Sequence, residues 1–114
     1  MKIVSVKNSE HYAWGGGCDG WHLLKSPGLS VIRERVPPGG AELRHYHEKA
    51  QQFFFVISGS AAMEFADKKV VLGPQQGISI PAKTPHRLLN QGDQDLTFLV
   101  ISAPMSHRDR VLVD

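Results

Sequence analysis

Turn-forming residues constrain the fold of this chain more than any other feature of its sequence. Eleven glycines and seven prolines divide 114 residues into short segments, and pairs such as Pro27-Gly28, Ser58-Gly59 and Gly73-Pro74 are typical of turns. No stretch longer than about ten residues keeps an apolar period of 3.6, so helices of ordinary length are not expected. The chain must therefore be built mainly from short strands.

The segments between the turns are rich in β-branched and aromatic residues, which favour strands. The predicted strands are Leu29–Val36, Gln52–Ser58, Ala61–Phe65, Val70–Leu72, Gly77–Ile80, His86–Asn90 and Leu96–Ser102. Many short strands at regular spacing are typical of an all-β sandwich or barrel. Ser9–Gly20 is a candidate loop or irregular turn, and Met105–Asp114 a short strand or a packed extension. The length suits one domain over residues 1–114.

Side-chain alternation predicts which strand is central. In Gln52–Ser58 both alternating faces are apolar, so this strand is expected to be covered on both sides. In the strand ending at Val36, Arg33 and Arg35 share one face and Glu34 lies on the other. Either set can face the interior, and the sequence does not choose between them.

Composition excludes several classes of protein. The longest apolar run is Phe53–Ile57, far short of the roughly 20 residues that a membrane-spanning helix needs. The net charge is +2 and the cationic residues are scattered, which does not favour nucleic-acid binding. Cys18 is the single cysteine, so a disulfide framework is excluded. Together with a first segment lacking an apolar signal region, it favours the cytoplasm.

Three histidines are the strongest chemical feature. His45 and His47 are two residues apart, so on a strand both imidazoles point the same way. His86 begins another predicted strand. Three neutral imidazoles converging from two strands would suit one divalent transition metal ion, with Fe, Mn, Co, Ni, Cu and Zn all allowed.

The spacing around these histidines resembles the two sequence motifs of the cupin superfamily. The first motif is matched by Gly39, His45, His47, Gln52 and Gly59, except that Gln52 stands where the family usually has Glu. The second is matched in part by three residues, with Gln75 and Lys83 where the family usually has glycine. Those three are Pro81, His86 and Asn90. The motif core covers residues 39–90.

The resemblance implies a small antiparallel β-barrel of the double-stranded β-helix or jelly-roll type, holding one metal ion and usually forming a homodimer. The family's ligand positions become His45, His47, Gln52 and His86. Gln51 is a rival for the amide position, although the spacing to Gly59 favours Gln52. Because an open sheet needs cover, Met1–Val6 and Leu96–Ser102 are candidates for the dimer contact.

Replacing Glu by Gln changes the chemistry expected at the fourth ligand. A carboxamide is neutral, so three imidazoles and Gln52 would leave the ion's full charge and favour anionic ligands. Gln52 cannot serve as a general base. A three-histidine site with Gln52 beside it, and a pocket without metal, both remain open.

Function is expected to be that of a mononuclear metalloenzyme with oxygenase, isomerase or lyase chemistry on a small polar or anionic substrate. The alternative is a non-catalytic module that binds a sugar or organic acid. At other positions, Lys83 is expected at positive φ, Asn90 as a structural hydrogen-bonding residue, and His11 and His107 at the surface. Cys18 and His22 offer too few ligands to predict a second ion.

Overall fold

The computed structural model describes residues 1–106 and 109–113, and these form eleven β-strands and no helix. The strands are β1 Glu10–Trp14, β2 Cys18–Lys25, β3 Ser30–Val36, β4 His45–His47, β5 Gln51–Ser58, β6 Ala61–Glu64, β7 Lys69–Leu72, β8 Gly77–Ile80, β9 Arg87–Leu89, β10 Leu96–Ala103 and β11 Arg110–Leu112. The predicted all-β class is confirmed. The described residues contain no helix capable of crossing a membrane.

The strands form three antiparallel sheets in a jelly-roll arrangement. Six strands pair in the order β1-β2-β3-β10-β5-β8, three in the order β7-β6-β9, and β11 pairs with β4. Phe54 and Phe98 of the large sheet share one buried core with Met63 and Leu88 of the three-stranded sheet. The hydrogen-bonded ladders do not close into one continuous barrel, so the two larger sheets meet through side chains.

The prediction of a loop or irregular turn over Ser9–Gly20 is wrong except at residues 15–17, which form a turn. This segment is the hairpin of β1 and β2, with Glu10 to Trp14 paired to His22 to Cys18. Its turn contains Gly15 and Gly17, both at positive φ (53° and 89°), which glycine adopts without steric cost. The glycine-rich turn therefore joins two strands. The tail contributes strand β11, one of the two forms expected for it.

Alternation along β3 and β5 defines an inner and an outer face of the large sheet. Glu34 is buried on the inner face, which resolves the open choice against Arg33 and Arg35. Gln52 is buried on the inner face as well, but Phe53 on the outer face is 40% exposed. The prediction that both faces of this strand are covered is therefore wrong for a single chain.

Strand β10 lies between β3 and β5 in the large sheet. Leu96–Ser102 is therefore not an edge of the sheet, and its part in a dimer contact stays a prediction. The edges of this sheet are β1 and β8.

Two turns show why the cupin motifs usually have glycine at positions 59 and 83. Gly59 has φ 85°, and a Cβ there would lie 2.5 Å from the carbonyl oxygen of Asp95, so only glycine fits. Lys83 has φ 65° despite its side chain, as expected for a position usually occupied by glycine. Its amide donates to the carbonyl of His47 at 2.7 Å. The loop that precedes His86 is therefore anchored directly to β4.

Candidate metal centre

The fold brings the three motif histidines together. His45 and His47 occupy alternate positions of β4, and both are buried. His86 lies immediately before β9 and forms an antiparallel bridge with His45, with N–H···O distances of 3.0 and 2.9 Å. The ring centroids are 4.6 Å apart for His45 and His86, 5.0 Å for His45 and His47, and 6.3 Å for His47 and His86.

Each of these imidazoles has its Nδ1 atom engaged by an acceptor. His45 Nδ1 lies 2.8 Å from the Leu43 carbonyl, and His86 Nδ1 lies 2.8 Å from the Thr84 carbonyl. These contacts assign the proton to Nδ1 and leave the Nε2 lone pair free, which is the tautomer of a metal-ligating imidazole held by a hydrogen bond to its other nitrogen.

His47 is held by a carboxylate from the far end of the chain. Its Nδ1 lies 2.7 Å from Oδ1 of Asp109, whose Oδ2 accepts the amides of Lys49 and Ala50 at 3.1 and 2.9 Å. These bonds lower the pKa of Asp109, although its burial acts in the opposite direction. The carboxylate therefore fixes the ring of His47 and the turn after β4 together.

Gln52, and not Gln51, is the buried amide on the inner face. Gln51 is exposed on the opposite side of the strand. Gln52 donates from Nε2 to Ser102 Oγ at 3.1 Å, while its buried Oε1 makes no hydrogen bond with a described residue. The buried Nε2 of His86 is unpartnered in the same way. An unsatisfied buried polar atom costs roughly 1–3 kcal/mol, so two of them in one site fit a bound cation.

Two acidic residues also line the cavity at this centre, which has a volume of about 120 Å³. They are Glu34 from β3 and Glu42 from the segment before β4. One ligand atom each of Glu42, His45 and His86 lie within 4.8 Å of one another, which is close enough to share an ion. The Leu88 amide donates to Glu42 Oε1 at 3.1 Å and holds this carboxylate in place.

Burial governs the protonation of the acidic groups. Desolvation, with the charge of Glu42 second, raises the pKa of Glu34 to about 8, although a hydrogen bond from Tyr12 opposes this. Burial likewise raises the pKa of Glu42 to about 7. The Tyr12 hydroxyl donates to Glu34 Oε2 at 2.6 Å, and burial raises the pKa of Tyr12 strongly. Near neutral pH the cavity therefore holds protons on carboxyl groups.

Burial acts in the opposite direction on the imidazoles. It lowers the pKa of His45 to about 3, and it lowers that of His86. Both rings are therefore neutral at physiological pH, which is the form that binds a metal. Their nitrogens are available without the loss of a proton.

Glu42 and Tyr12 were not predicted from the sequence, and Glu34 was one of two open choices there. Replacing Glu by Gln at position 52 does not leave the site without carboxyl groups, since Glu34 and Glu42 line it. Glu34 follows from strand alternation once the inner face is known. Nothing in the sequence distinguishes Tyr12, which reaches the site only because β1 pairs with β2.

The remaining residues singled out from the sequence lie outside this centre. Asn90 donates to the carbonyls of Val36 and Gln94 at 2.9 and 2.8 Å, a structural role as predicted. His11 is exposed and bonds Asp19 at 2.8 Å. His107 lies outside the described residues. Within the described part of the chain, Cys18 and His22 belong to no group of three potential ligands.

Comparisons with known proteins agree with this geometry. The Cupin domain family (Cupin_2) matches residues 32–102. Among curated proteins, the uncharacterized protein MJ1618 of Methanocaldococcus jannaschii is 29% identical over 94 residues, 82% of this chain and 75% of that protein. The polyketide synthase CurC of Streptomyces cyaneus is 28% identical over 79 residues, 69% of this chain but only 49% of that protein.

A solved structure extends the likeness to the whole fold. The polyketide cyclase RemF from Streptomyces resistomycificus superposes with a TM-score of 0.86 at 21% identity, covering 100% of this chain and 86% of that one. At that identity the match establishes the double-stranded β-helix fold and leaves the chemistry to be argued from the site. Since the family match covers well over half of the residues, the chain belongs to the Cupin domain family.

Proposed function

We propose that the protein is a mononuclear metalloenzyme acting on a small anionic molecule that carries a carbonyl or hydroxyl oxygen. One divalent transition metal ion would be held by the Nε2 atoms of His45, His47 and His86, with Gln52 Oε1 as a fourth donor. The observation that carries this proposal is the set of three Nδ1 contacts, each of which leaves Nε2 as the nitrogen available to a shared ion.

Glu34 and Glu42 would supply proton transfer beside such an ion. When bound, a divalent ion supplies a Lewis acid that polarises a carbonyl oxygen. The chain itself supplies proton transfer: Tyr12 donates to Glu34 Oε2, so a protonated Glu34 carries its own proton on Oε1. Glu42 adds a second carboxyl group whose pKa is close to neutral. Groups with such pKa values suit general acid–base catalysis near pH 7.

Among oxygenase, isomerase and lyase chemistry, this arrangement favours the reactions that move protons next to a carbonyl. The resemblance to a polyketide synthase component and to a polyketide cyclase supports the same direction, since ring closure of an oxo compound needs such proton transfers. The whole activity of CurC does not transfer, because this chain spans about half of it.

Homodimerisation and a cytoplasmic location remain predictions. The outer face of β5 supports the first, because Phe53 is 40% exposed and its ring stacks on Phe55 with centroids 6.5 Å apart. A second copy covering this face would remove the aromatic side chains from water. Light scattering of the purified protein measures the mass that decides it.

Metal loading of the His45→Ala variant tests the proposal. Wild-type protein supplied with Co²⁺, Ni²⁺, Zn²⁺, Mn²⁺ or Fe²⁺ is expected to retain about one ion per chain after gel filtration, whereas His45→Ala should fall below about 0.1. His11→Ala, at the exposed histidine, is the matched control and should load normally. Elemental analysis together with circular dichroism separates loss of metal from loss of fold. Unchanged loading of His45→Ala, or none in the wild type, contradicts the proposal.

A further inference from the structure

A second and larger cavity adjoins the metal centre. Its volume is about 450 Å³, against about 120 Å³ for the cavity among the histidines. The two share four lining residues: Tyr12, Ile32, Ser106 and Arg110. Its size lies within the range of roughly 300–1,000 Å³ that small-molecule sites occupy. A molecule in the larger cavity would therefore lie beside the proposed ion.

Arg110 places a positive charge at the junction of the two cavities. Among the described residues it forms no ion pair, and its Nη2 lies 3.5 Å from two atoms, the Leu43 carbonyl oxygen and Nδ1 of His45. Its charge lowers the pKa values of Glu34 and Glu42, against the larger effect of their burial. The guanidinium is thus electrostatically coupled to the site, and no carboxylate in the described part of the chain pairs with it.

A buried hydroxyl supplies an independent observation. Ser30 lines the larger cavity, is only 2% exposed, and its Oγ makes no hydrogen bond with any described residue. A hydroxyl buried in this way costs stability unless a ligand or water satisfies it. Ile32 and Met105 give the same cavity apolar walls, and Lys25 adds a second cation, paired to Glu10 at 3.4 Å.

We propose that this larger cavity is the substrate subsite and that it selects a small organic carboxylate with an apolar body. Arg110 binds the carboxylate, Ser30 donates to or accepts from a ligand oxygen, and Ile32 and Met105 contact the apolar part. This inference rests on the proposed function, since the opposite end of the molecule would lie at the histidines. Guanidinium and carboxylate pair in a bidentate geometry that a neutral group cannot reproduce.

Matched acid and amide probes test the subsite. Mandelate and phenylacetate are titrated calorimetrically beside mandelamide and phenylacetamide, which have the same shape without the charge. The expected result is tighter binding of each acid than of its amide. Arg110→Gln should weaken binding of the acids about tenfold and leave the amides unchanged, because glutamine removes the charge and the paired N–H donors that bind a carboxylate. Ser30→Ala should weaken both acid and amide.

Arg33→Gln is the matched control, because Arg33 lies on the outer face of β3, the strand whose inner face contributes Ser30 and Ile32 to the cavity. Titrations are made with Zn²⁺-loaded protein and with protein treated with EDTA. Acids that bind no better than amides, or an Arg110→Gln variant that behaves like Arg33→Gln, overturn the subsite. A wild type that takes up no metal but still prefers acids through Arg110 overturns the proposed function alone.

Discussion

The inner and outer faces of the six-stranded sheet are made from alternate residues of the same strands but treat polar groups in opposite ways. On the outer face Arg35 is fully paired, with Asp19 at 2.8 Å and Asp95 at 3.1 Å. On the inner face Gln52 Oε1 and Ser30 Oγ are buried and unpartnered among the described residues. Arg35 on the outer face is therefore satisfied, whereas two polar atoms on the inner face have no partner among the described residues.

This difference indicates where function lies. Stability alone would place apolar residues on a buried face, because burying a polar group without a partner is costly. The inner face nevertheless carries Glu34 and Gln52 beside Phe54 and Phe98. Where local rules of folding are broken without structural gain, a functional site is the usual reason.

The largest expected contrast between the faces is in stability. Phe98 is fully buried on the inner face and its ring lies 5.8 Å from that of Phe54, so Phe98→Ala should cost about 3–5 kcal/mol. Phe53 on the outer face is 40% exposed, and Phe53→Ala should cost under about 1 kcal/mol per isolated chain. Urea unfolding at low protein concentration measures both, and equal costs would show that the two faces are equally covered.

Strand positions could be read from the sequence because turn residues and alternation are local signals. All seven predicted strands coincide with observed strands to within one residue at each end, although β9 covers only Arg87–Leu89 of the predicted His86–Asn90. Motif spacing also placed His45, His47 and His86 in the same site. Alternation places Glu34 on the opposite face of the strand from Arg33 and Arg35. It does not tell which face is buried, because that depends on the sheet that packs against the strand.

Contacts between residues far apart in the sequence could not be predicted from these local signals. Asp109 reaches His47 across 62 positions, and Tyr12 reaches Glu34 across 22. Both contacts depend on strand partners: β11 pairs with β4, and β2 lies between β1 and β3. The first hairpin was missed for a related reason, since its glycine-rich turn is locally identical to a flexible loop. Local patterns gave the candidate ligand positions. The residues that orient a ligand or carry a proton beside it, Asp109 and Tyr12, are placed by long-range topology.

The next prediction concerns the carboxylate that orients His47. Asp109→Asn keeps the shape but removes the charge behind Nδ1, so metal affinity should fall about 10–100-fold. Asp95→Asn changes a carboxylate paired with Arg35 on the outer face and is expected to leave metal affinity unchanged. Competition with a coloured chelator gives both affinities. Equal affinities for the Asp109→Asn variant and the wild type would remove Asp109 from the site.

The smallest expected effect is the pH dependence of stability in metal-free protein. The pKa of Glu34 is raised in the folded chain to about 8, so between pH 6.5 and 8.5 the folded state holds a proton that the unfolded chain has released. Stability should therefore fall by about 1–2 kcal/mol as pH rises through this window. His45, whose pKa is lowered, acts in the opposite direction but only below about pH 6.5.

Glu34→Gln should remove most of that decline, because an amide accepts the Tyr12 hydrogen bond without titrating. The groups that act on Glu34 are Tyr12, Glu42 and Arg110, and Glu42, with a pKa of about 7, leaves a small residual slope. Glu10→Gln alters an exposed carboxylate and should keep the full decline. Thermal midpoints at half-unit pH intervals measure all three proteins. If the thermal midpoint of the wild type stays constant or rises between pH 6.5 and 8.5, Glu34 is ionised in the folded protein and carries no proton there.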